Sequence, residues 1–382
     1  MDVAEAKPAP AAAKVTSKRV VFIDLARALA VVFMLYGHTV SALLAPQYRT
    51  GVWFDVWTFQ RGLTSSLFLL LSGFAFSIAT SRHWAMHLQL SAASLKRARR
   101  FGLFILLGYA LHIPVSRFVY LPSASDEQWR AFLAVDVLQL IGVTFVGVQL
   151  LVLLTRSRVV FTAVSLTLAA AIVLTTPLMW TADWSTHVPV WLAPYLNIST
   201  GSLFPLFPWS AFVLVGAGLG QFYARWGASH LGLYATRVLL VPGLLLVAAA
   251  ILARSAAGGR AWTVVPLDVQ TRIGACLIVL AVVAFASRRI SHLPHLFGAV
   301  AQETLLIYFV HLCIVYGSVW NSGLAQIYGE TLSPGATVGW VLALLGSMTL
   351  LAVYWNAWKH TRPRVTRWVT VAAGMVLLAR LL

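Results

Sequence analysis

Three polar residues interrupt one long apolar run near the start of the chain: Asp24, Arg27 and His38 in FIDLARALAVVFMLYGHTV. An ionisable side chain inside a membrane-length apolar stretch is expensive, so each is a functional candidate by default. Asp24 and Arg27 stand three positions apart, the spacing at which opposite charges pair on one helix face. His38 follows Arg27 by eleven positions, about three helical turns, so all three share one stripe. An ion pair that only fixes packing accounts for Asp24 and Arg27. It does not account for His38, because a deep imidazole needs a polar partner or a water-filled cavity. His38 is therefore the first candidate catalytic residue, as a base toward a hydroxyl or amine or as a transient acyl acceptor. It lies roughly 16 Å beyond Arg27 along the helix. That separation suits a long anionic donor whose charged end sits near Arg27 and whose reactive end reaches His38.

Other polar groups fall at a similar depth. Asp136, followed by Gln139, lies near the outer end of the fourth apolar stretch and is the candidate partner for the second nitrogen of His38. His311, in ETLLIYFVHLC, is a further catalytic candidate or a packing group, and His112 reads as interfacial. The run Lys96-Arg97-Ala98-Arg99-Arg100 joins Arg27 as the candidate cofactor-binding cations. It can hold phosphates by charge and by forked guanidinium hydrogen bonds, and it can equally anchor topology or contact anionic lipid. Gly216, Gly218 and Gly220 lie within an apolar stretch and read as a close helix contact, not a phosphate loop. No GxSxG, Walker, CxxC or HExxH motif is present, and Cys276 and Cys313 sit in apolar stretches as small packing residues. No metal site is expected.

The elements that must position these residues follow from composition. The 382 residues are 60% hydrophobic and 10% charged, with a mean hydropathy of +0.83, so lipid must cover most of the chain. Apolar stretches fall at 20–44, 62–81, 101–116, 131–154, 158–177, 203–223, 237–253, 271–287, 297–319 and 336–358, with a shorter one at 367–382. These predict an all-α polytopic bundle of about ten or eleven transmembrane helices. The net charge of +17 does not indicate nucleic acid, because the cations alternate between loops. With the N-terminus in the cytoplasm, 19 of the 28 Lys and Arg fall in inner segments. Seven fall outside: Arg49, Arg61, Arg117, Arg130, Arg254, Arg260 and Arg272. Residues 1–19 read as a disordered cytoplasmic tail and 20–382 as one membrane domain. In the outer loop near 178–202, Trp180, Trp184, Trp191 and Tyr195 fit a membrane-interface belt or a sugar-stacking surface, and Asn197-Ile198-Ser199 forms an isolated sequon.

At these residues the sequence resembles the transmembrane acyltransferase superfamily, above all the family named for the heparan-alpha-glucosaminide N-acetyltransferase catalytic domain. The shared pattern is Arg19-x4-Asp24-x2-Arg27 with His38, SLFLLLSGFAFSIA at 66–79, the basic run at 96–100, LQLIGV at 138–143, FPLFPW at 204–209 and ETLLIYFVH at 303–311. It spans most of 18–320. Arg27-x10-His38 is also similar to the motif of the bacterial membrane O-acyltransferases that decorate surface polysaccharides. The resemblance implies transfer of an acyl group, usually acetyl from acetyl-CoA, to a glycan or glycolipid acceptor across the membrane, with His38 in the chemistry. A bacterial inner membrane is the expected location. The rival from another class is a secondary transporter using Asp24, Asp136, Glu303 and His311, although neither an inverted repeat nor a broken helix stands out in the sequence. A non-catalytic partner subunit is the third reading.

Overall fold

The computed structural model describes residues 20–257, 261–290 and 293–382, so the predicted tail at 1–19 lies outside the described residues. Those residues form fifteen α-helices joined by short turns, with two isolated bridges and no strand. In order they are α1 (Val21–Leu43), α2 (Val52–Ser81), α3 (Ala92–Leu111), α4 (Asp126–Leu133), α5 (Val137–Thr155), α6 (Arg158–Thr181), α7 (Leu206–Phe222), α8 (Leu231–Tyr234), α9 (Val241–Ala257), α10 (Ala261–Ser287), α11 (His295–Gln302), α12 (Thr304–Tyr316), α13 (Leu324–Tyr328), α14 (Pro334–Thr361) and α15 (Pro363–Ala379). Eight rods are long and apolar enough to cross a membrane, among them α7 with the π turn that follows it and α8 running through a second π turn into α9. The protein is an all-α polytopic membrane protein.

Every apolar stretch becomes a helix, but several helices start earlier than the stretch. α2 begins at Val52 and α10 at Ala261, about ten residues before the hydropathy rises, because VWFDVWTFQR and its counterpart are aromatic and polar yet continue the same rod. The fourth stretch is interrupted: α4 ends at Leu133, and Asp136 then caps α5 by accepting from the Val137 amide at 2.6 Å. Sequence hydropathy is blind to that cap. The ninth stretch is broken, with α11 and α12 meeting at 74°. The break falls on Glu303, whose backbone leaves the helical region (φ −98°, ψ 24°). Its buried carboxylate accepts from Lys359 Nζ at 2.9 Å and Asn356 Nδ2 at 3.0 Å, both on α14.

The last stretch also crosses the bundle. Leu381 O accepts from the Phe118 amide at 2.6 Å, the Trp320 indole donates to Leu377 O at 3.0 Å, and Arg380 donates to Trp320 O at 3.1 Å. Phe118 and Trp320 follow the ends of α3 and α12, so α15 finishes on the face where α1 ends. That face is called the far face below, and the face where α1 begins is the near face.

Close packing sets the frame. Gly216 on α7 lies so near the Leu70 carbonyl on α2 that a Cβ would sit 1.9 Å from its oxygen, and Gly73 meets Val213 O in the same way. Such approaches give van der Waals contact that lipid-bathed helices need in place of a hydrophobic drive. Gly218 faces Leu166 on α6, completing the helix contact expected of the three glycines. α1 is central, touching α2, α10, α11, α12, α13 and α14, with Ala26 and Ala30 fully buried. Its far end is tied down: the Ala45 amide donates to Leu332 O at 3.0 Å and the Leu332 amide to Leu43 O at 2.9 Å. Asn197 is buried, donates to Ala182 O at 2.9 Å and accepts from Ser199 Oγ at 2.7 Å, so the sequon asparagine is a loop staple.

Candidate active site

A cavity of about 660 Å³ opens toward the far face, and His38 lines it. Gly37 beside it faces Arg61 on α2, whose Cγ would lie in ordinary contact, 3.6 Å, with an added Cβ. His38 Nδ1 is 2.9 Å from the hydroxyl of Tyr316, the last residue of α12. The His311 ring lies 5.3 Å from the His38 ring, centroid to centroid, and Tyr308 stands 5.7 Å beyond it. The break between α11 and α12 gives α12 its own direction, and that short helix carries Tyr308, His311 and Tyr316.

Hydrogen bonding constrains the histidines. His311 Nδ1 lies 2.8 Å from Ile307 O, and only a protonated nitrogen can bond a carbonyl, so in the neutral ring Nε2 carries the lone pair. That Nε2 is buried with no partner, and leaving such a group unsatisfied costs about 1–3 kcal/mol. An orphaned acceptor beside His38 marks a place for a donor hydrogen from substrate or water. The Tyr316 hydroxyl can accept from His38 Nδ1–H, which leaves His38 Nε2 with the lone pair a base or nucleophile requires.

Asp136 lines the same cavity, but its partners are others. Its carboxylate caps α5 and lies 4.0 Å from His112 Nε2, while His112 Nδ1 donates to Gly108 O at 3.0 Å. Tyr316 thus takes the place beside His38 that depth matching suggested for Asp136, and His112 lines the cavity wall. Matching depth along two helices says nothing of which way each side chain faces.

Two further cations line the cavity that sequence reading put in external loops. Arg61 is the tenth residue of α2 and Arg272 the twelfth of α10. Arg272 Nη1 donates to Gly62 O at 2.7 Å, and the Arg61 guanidinium lies 5.7 Å from the Trp57 ring centroid. Arg61 lies one residue before its apolar stretch and Arg272 at the second position of its own, so both were counted with the outer segments. The aromatic run ahead of Arg61 was the available signal.

The other expected binding residues stand on the near face. Arg27 is half-buried on α1 within electrostatic range of Asp24. Arg97 turns inward, donating to Thr80 Oγ1 at 2.7 Å and covering the Phe76 ring. Lys96, Arg99 and Arg100 are exposed. Beneath them His87 is buried in the loop between α2 and α3, and burial, then Arg97 and His83, lower its pKa from 6.5 to about 4. None of Arg27, Lys96, Arg97, Arg99 and Arg100 lines the His38 cavity. The site residues therefore form two groups, His38, His311 and Asp136 on the far face and the five cations on the near face. Among the described residues no group of three His, Cys, Asp or Glu side chains is placed to hold a metal.

The far-face group brings together an imidazole, a hydroxyl on its Nδ1 and a cavity between helices. Comparison with curated proteins gives no match. The model of the family described as heparan-alpha-glucosaminide N-acetyltransferase, catalytic, matches residues 19–253, which include Arg27, His38, Arg61, the basic run and Asp136. The match spans more than half of the chain, and the chain belongs to this family of membrane acyltransferases.

Proposed function

We propose that the protein moves an acetyl group from cytoplasmic acetyl-CoA to a hydroxyl or amine of a glycan or glycolipid at the outer side of the membrane, with His38 in the chemistry. The observation that carries the reading is His38 on a cavity with its Nδ1 2.9 Å from the Tyr316 hydroxyl, a pairing that allows Nε2 the lone pair, in a chain of an acetyltransferase family. The 19 Lys and Arg of the inner segments support a cytoplasmic N-terminus. We read 20–382 as a single membrane domain of a bacterial inner membrane.

In this reading Lys96, Arg99 and Arg100, exposed on the near face, meet the donor phosphates, with Arg27 deeper on the path to His38. At the cavity His38 Nε2 takes the proton of the acceptor as its oxygen or nitrogen attacks the thioester carbonyl. The C–S bond breaks, the acetyl group stays on the acceptor, and the proton passes to the sulfur to give free CoA. In the covalent variant Nε2 itself attacks the carbonyl, CoA leaves, and the acceptor then displaces the imidazole. Single-turnover mixing without acceptor separates the two, since only the second leaves an isolable acetyl-enzyme. His311 Nε2 supplies an acceptor for a substrate hydrogen, and Asp136 acts through His112 on the cavity wall.

A secondary transporter is the second reading, favoured by the 74° break between α11 and α12. Against it, the carboxylate at that break is already neutralised by Lys359. Sealed inverted vesicles test the proposal. Labelled acetyl-CoA added outside is expected to place label on glycans inside the vesicle. Counterflow of solute without acetyl-CoA, and no labelled glycan, would replace the proposal with transport.

A further inference from the structure

Tyr308 has no role in the transfer step as described, yet it lines the His38 cavity from α12, one helical turn before His311. Its ring is held in place. It is 5% exposed, stacks on Phe68 of α2 at 6.5 Å between centroids and meets the His311 ring edge to face at 5.7 Å. A buried tyrosine hydroxyl ordinarily has a hydrogen-bond partner. Among the described residues this one has none. Nor is it sealed in, because the polar atoms buried without a partner include His311 Nε2 and not the Tyr308 oxygen. The hydroxyl therefore opens into the cavity that Tyr308 lines. Asp136 and Tyr316 lie within electrostatic range of it, but both are engaged elsewhere. The Asp136 carboxylate caps α5 and faces His112, and the Tyr316 hydroxyl pairs with His38. Tyr308 thus presents an unengaged O–H donor to the cavity.

Acyl transfer creates a charge that needs such a donor. As the nucleophile attacks the thioester carbonyl, the C=O π pair moves onto oxygen, and a hydrogen-bond donor aimed at that oxygen lowers the barrier. We infer that Tyr308 is the oxyanion donor of the transfer: its O–H bonds the carbonyl oxygen of the acetyl thioester while His38 meets the attacking group. The placement fits the donor's approach, because along α12 Tyr308 stands nearer than His311 and Tyr316 to the near-face break at Glu303. In direct transfer the pair then returns to the carbonyl, the C–S bond breaks, and the sulfur takes the proton held on His38. Tyr308 keeps its own proton throughout. In the covalent variant the same hydrogen bond serves both carbonyl attacks. The inference rests on the acyl-transfer reading, and Tyr308 lies beyond the segment that carries the family match.

The test is binding without turnover, on the full chain in nanodiscs, with two analogues of the acyl donor that cannot transfer. Acetonyl-CoA presents a planar ketone. Trifluoroacetonyl-CoA presents the tetrahedral hydrate, whose oxygen stands where the oxyanion forms. The wild type should bind the second at least about tenfold more tightly than the first. Tyr308→Phe keeps the ring and should abolish that preference, leaving the Kd for acetonyl-CoA within about twofold. In the CoA-release assay the same variant should lose about a hundredfold in kcat with little change in KM for acetyl-CoA. A ring that only packs predicts neither change. If Tyr308→Phe keeps the preference, another group such as Arg61 holds the oxyanion and the inference is overturned. A wild type with no preference overturns it as well, and so does equal weakening of both analogues. Should Tyr308→Phe not fold, 3-fluorotyrosine incorporated at Tyr308 decides. This more acidic phenol of similar shape must tighten trifluoroacetonyl-CoA and not acetonyl-CoA, and an unchanged ratio overturns the inference. Because the ratio needs no acetyl transfer, a failure here is separable from a failure of the acyltransferase reading, which shows in CoA release by the wild type.

Discussion

The two ends of the bundle carry polar groups in opposite ways. On the far face His38, Arg61, Arg272 and Asp136 line one cavity from α1, α2, α10 and the start of α5, and His311 on α12 is buried against His38. On the near face Lys96, Arg99 and Arg100 stand exposed on one turn of α3, and only Arg97 folds back onto α2. The far end is expensive to build, because its groups come from five helices and several are buried. The near end is inexpensive, since exposed cations on one turn need no precise neighbours. The difference teaches what each can do: the first can orient a reacting bond, the second can attract and hold a mobile charge.

Substitutions should separate the two ends kinetically. His311→Ala, at the costly end, is expected to lower kcat for acetyl transfer about a hundredfold with little change in KM for acetyl-CoA. An unchanged kcat in steady-state assays would make His311 a packing residue. The triple change of Lys96, Arg99 and Arg100 to Gln should do the reverse, raising KM for acetyl-CoA about tenfold at low salt and leaving kcat near wild type. A fall in kcat alone would break the contrast. Tyr316→Phe removes only the hydroxyl on His38 Nδ1 and should cost about three- to tenfold in kcat, read in the same assay.

The smallest effect concerns stability at the near end. His87 is held neutral with a pKa near 4, while the unfolded chain titrates at 6.5. Above 6.5 both states are neutral; as pH falls toward 4 the unfolded state alone takes up the proton, so folding stability is lost across that window. Melting temperatures measured across it should fall less for His87→Gln than for wild type. Equal slopes would show that His87 does not contribute.

Much of this arrangement was legible in sequence. The stripe of Asp24, Arg27 and His38 follows from helical spacing alone, and each apolar stretch is helical, the fourth and ninth each split between two helices. The three glycines of α7 were readable as a close contact because no other use fits an apolar helix. What was hidden is tertiary. Arg61 and Arg272 stand at the edges of their apolar stretches, so both were counted with the outer segments although their helices begin about ten residues earlier. The break at Glu303 depends on Lys359 and Asn356, some fifty residues later in the chain. Tyr316 became the partner of His38 because α12 bends away from α11, and no pattern within either segment encodes that angle.

The most direct measurement is release of free CoA from acetyl-CoA by the purified protein in nanodiscs, given a membrane-glycan extract, with wild type beside His38→Ala. Both proteins should be folded by melting curve and by gel filtration. Release by wild type, reduced at least about a hundredfold in the variant, is the predicted result. Equal release from both would contradict a role for His38, and no release from either across several acyl-CoAs and acceptors would contradict acyl transfer itself.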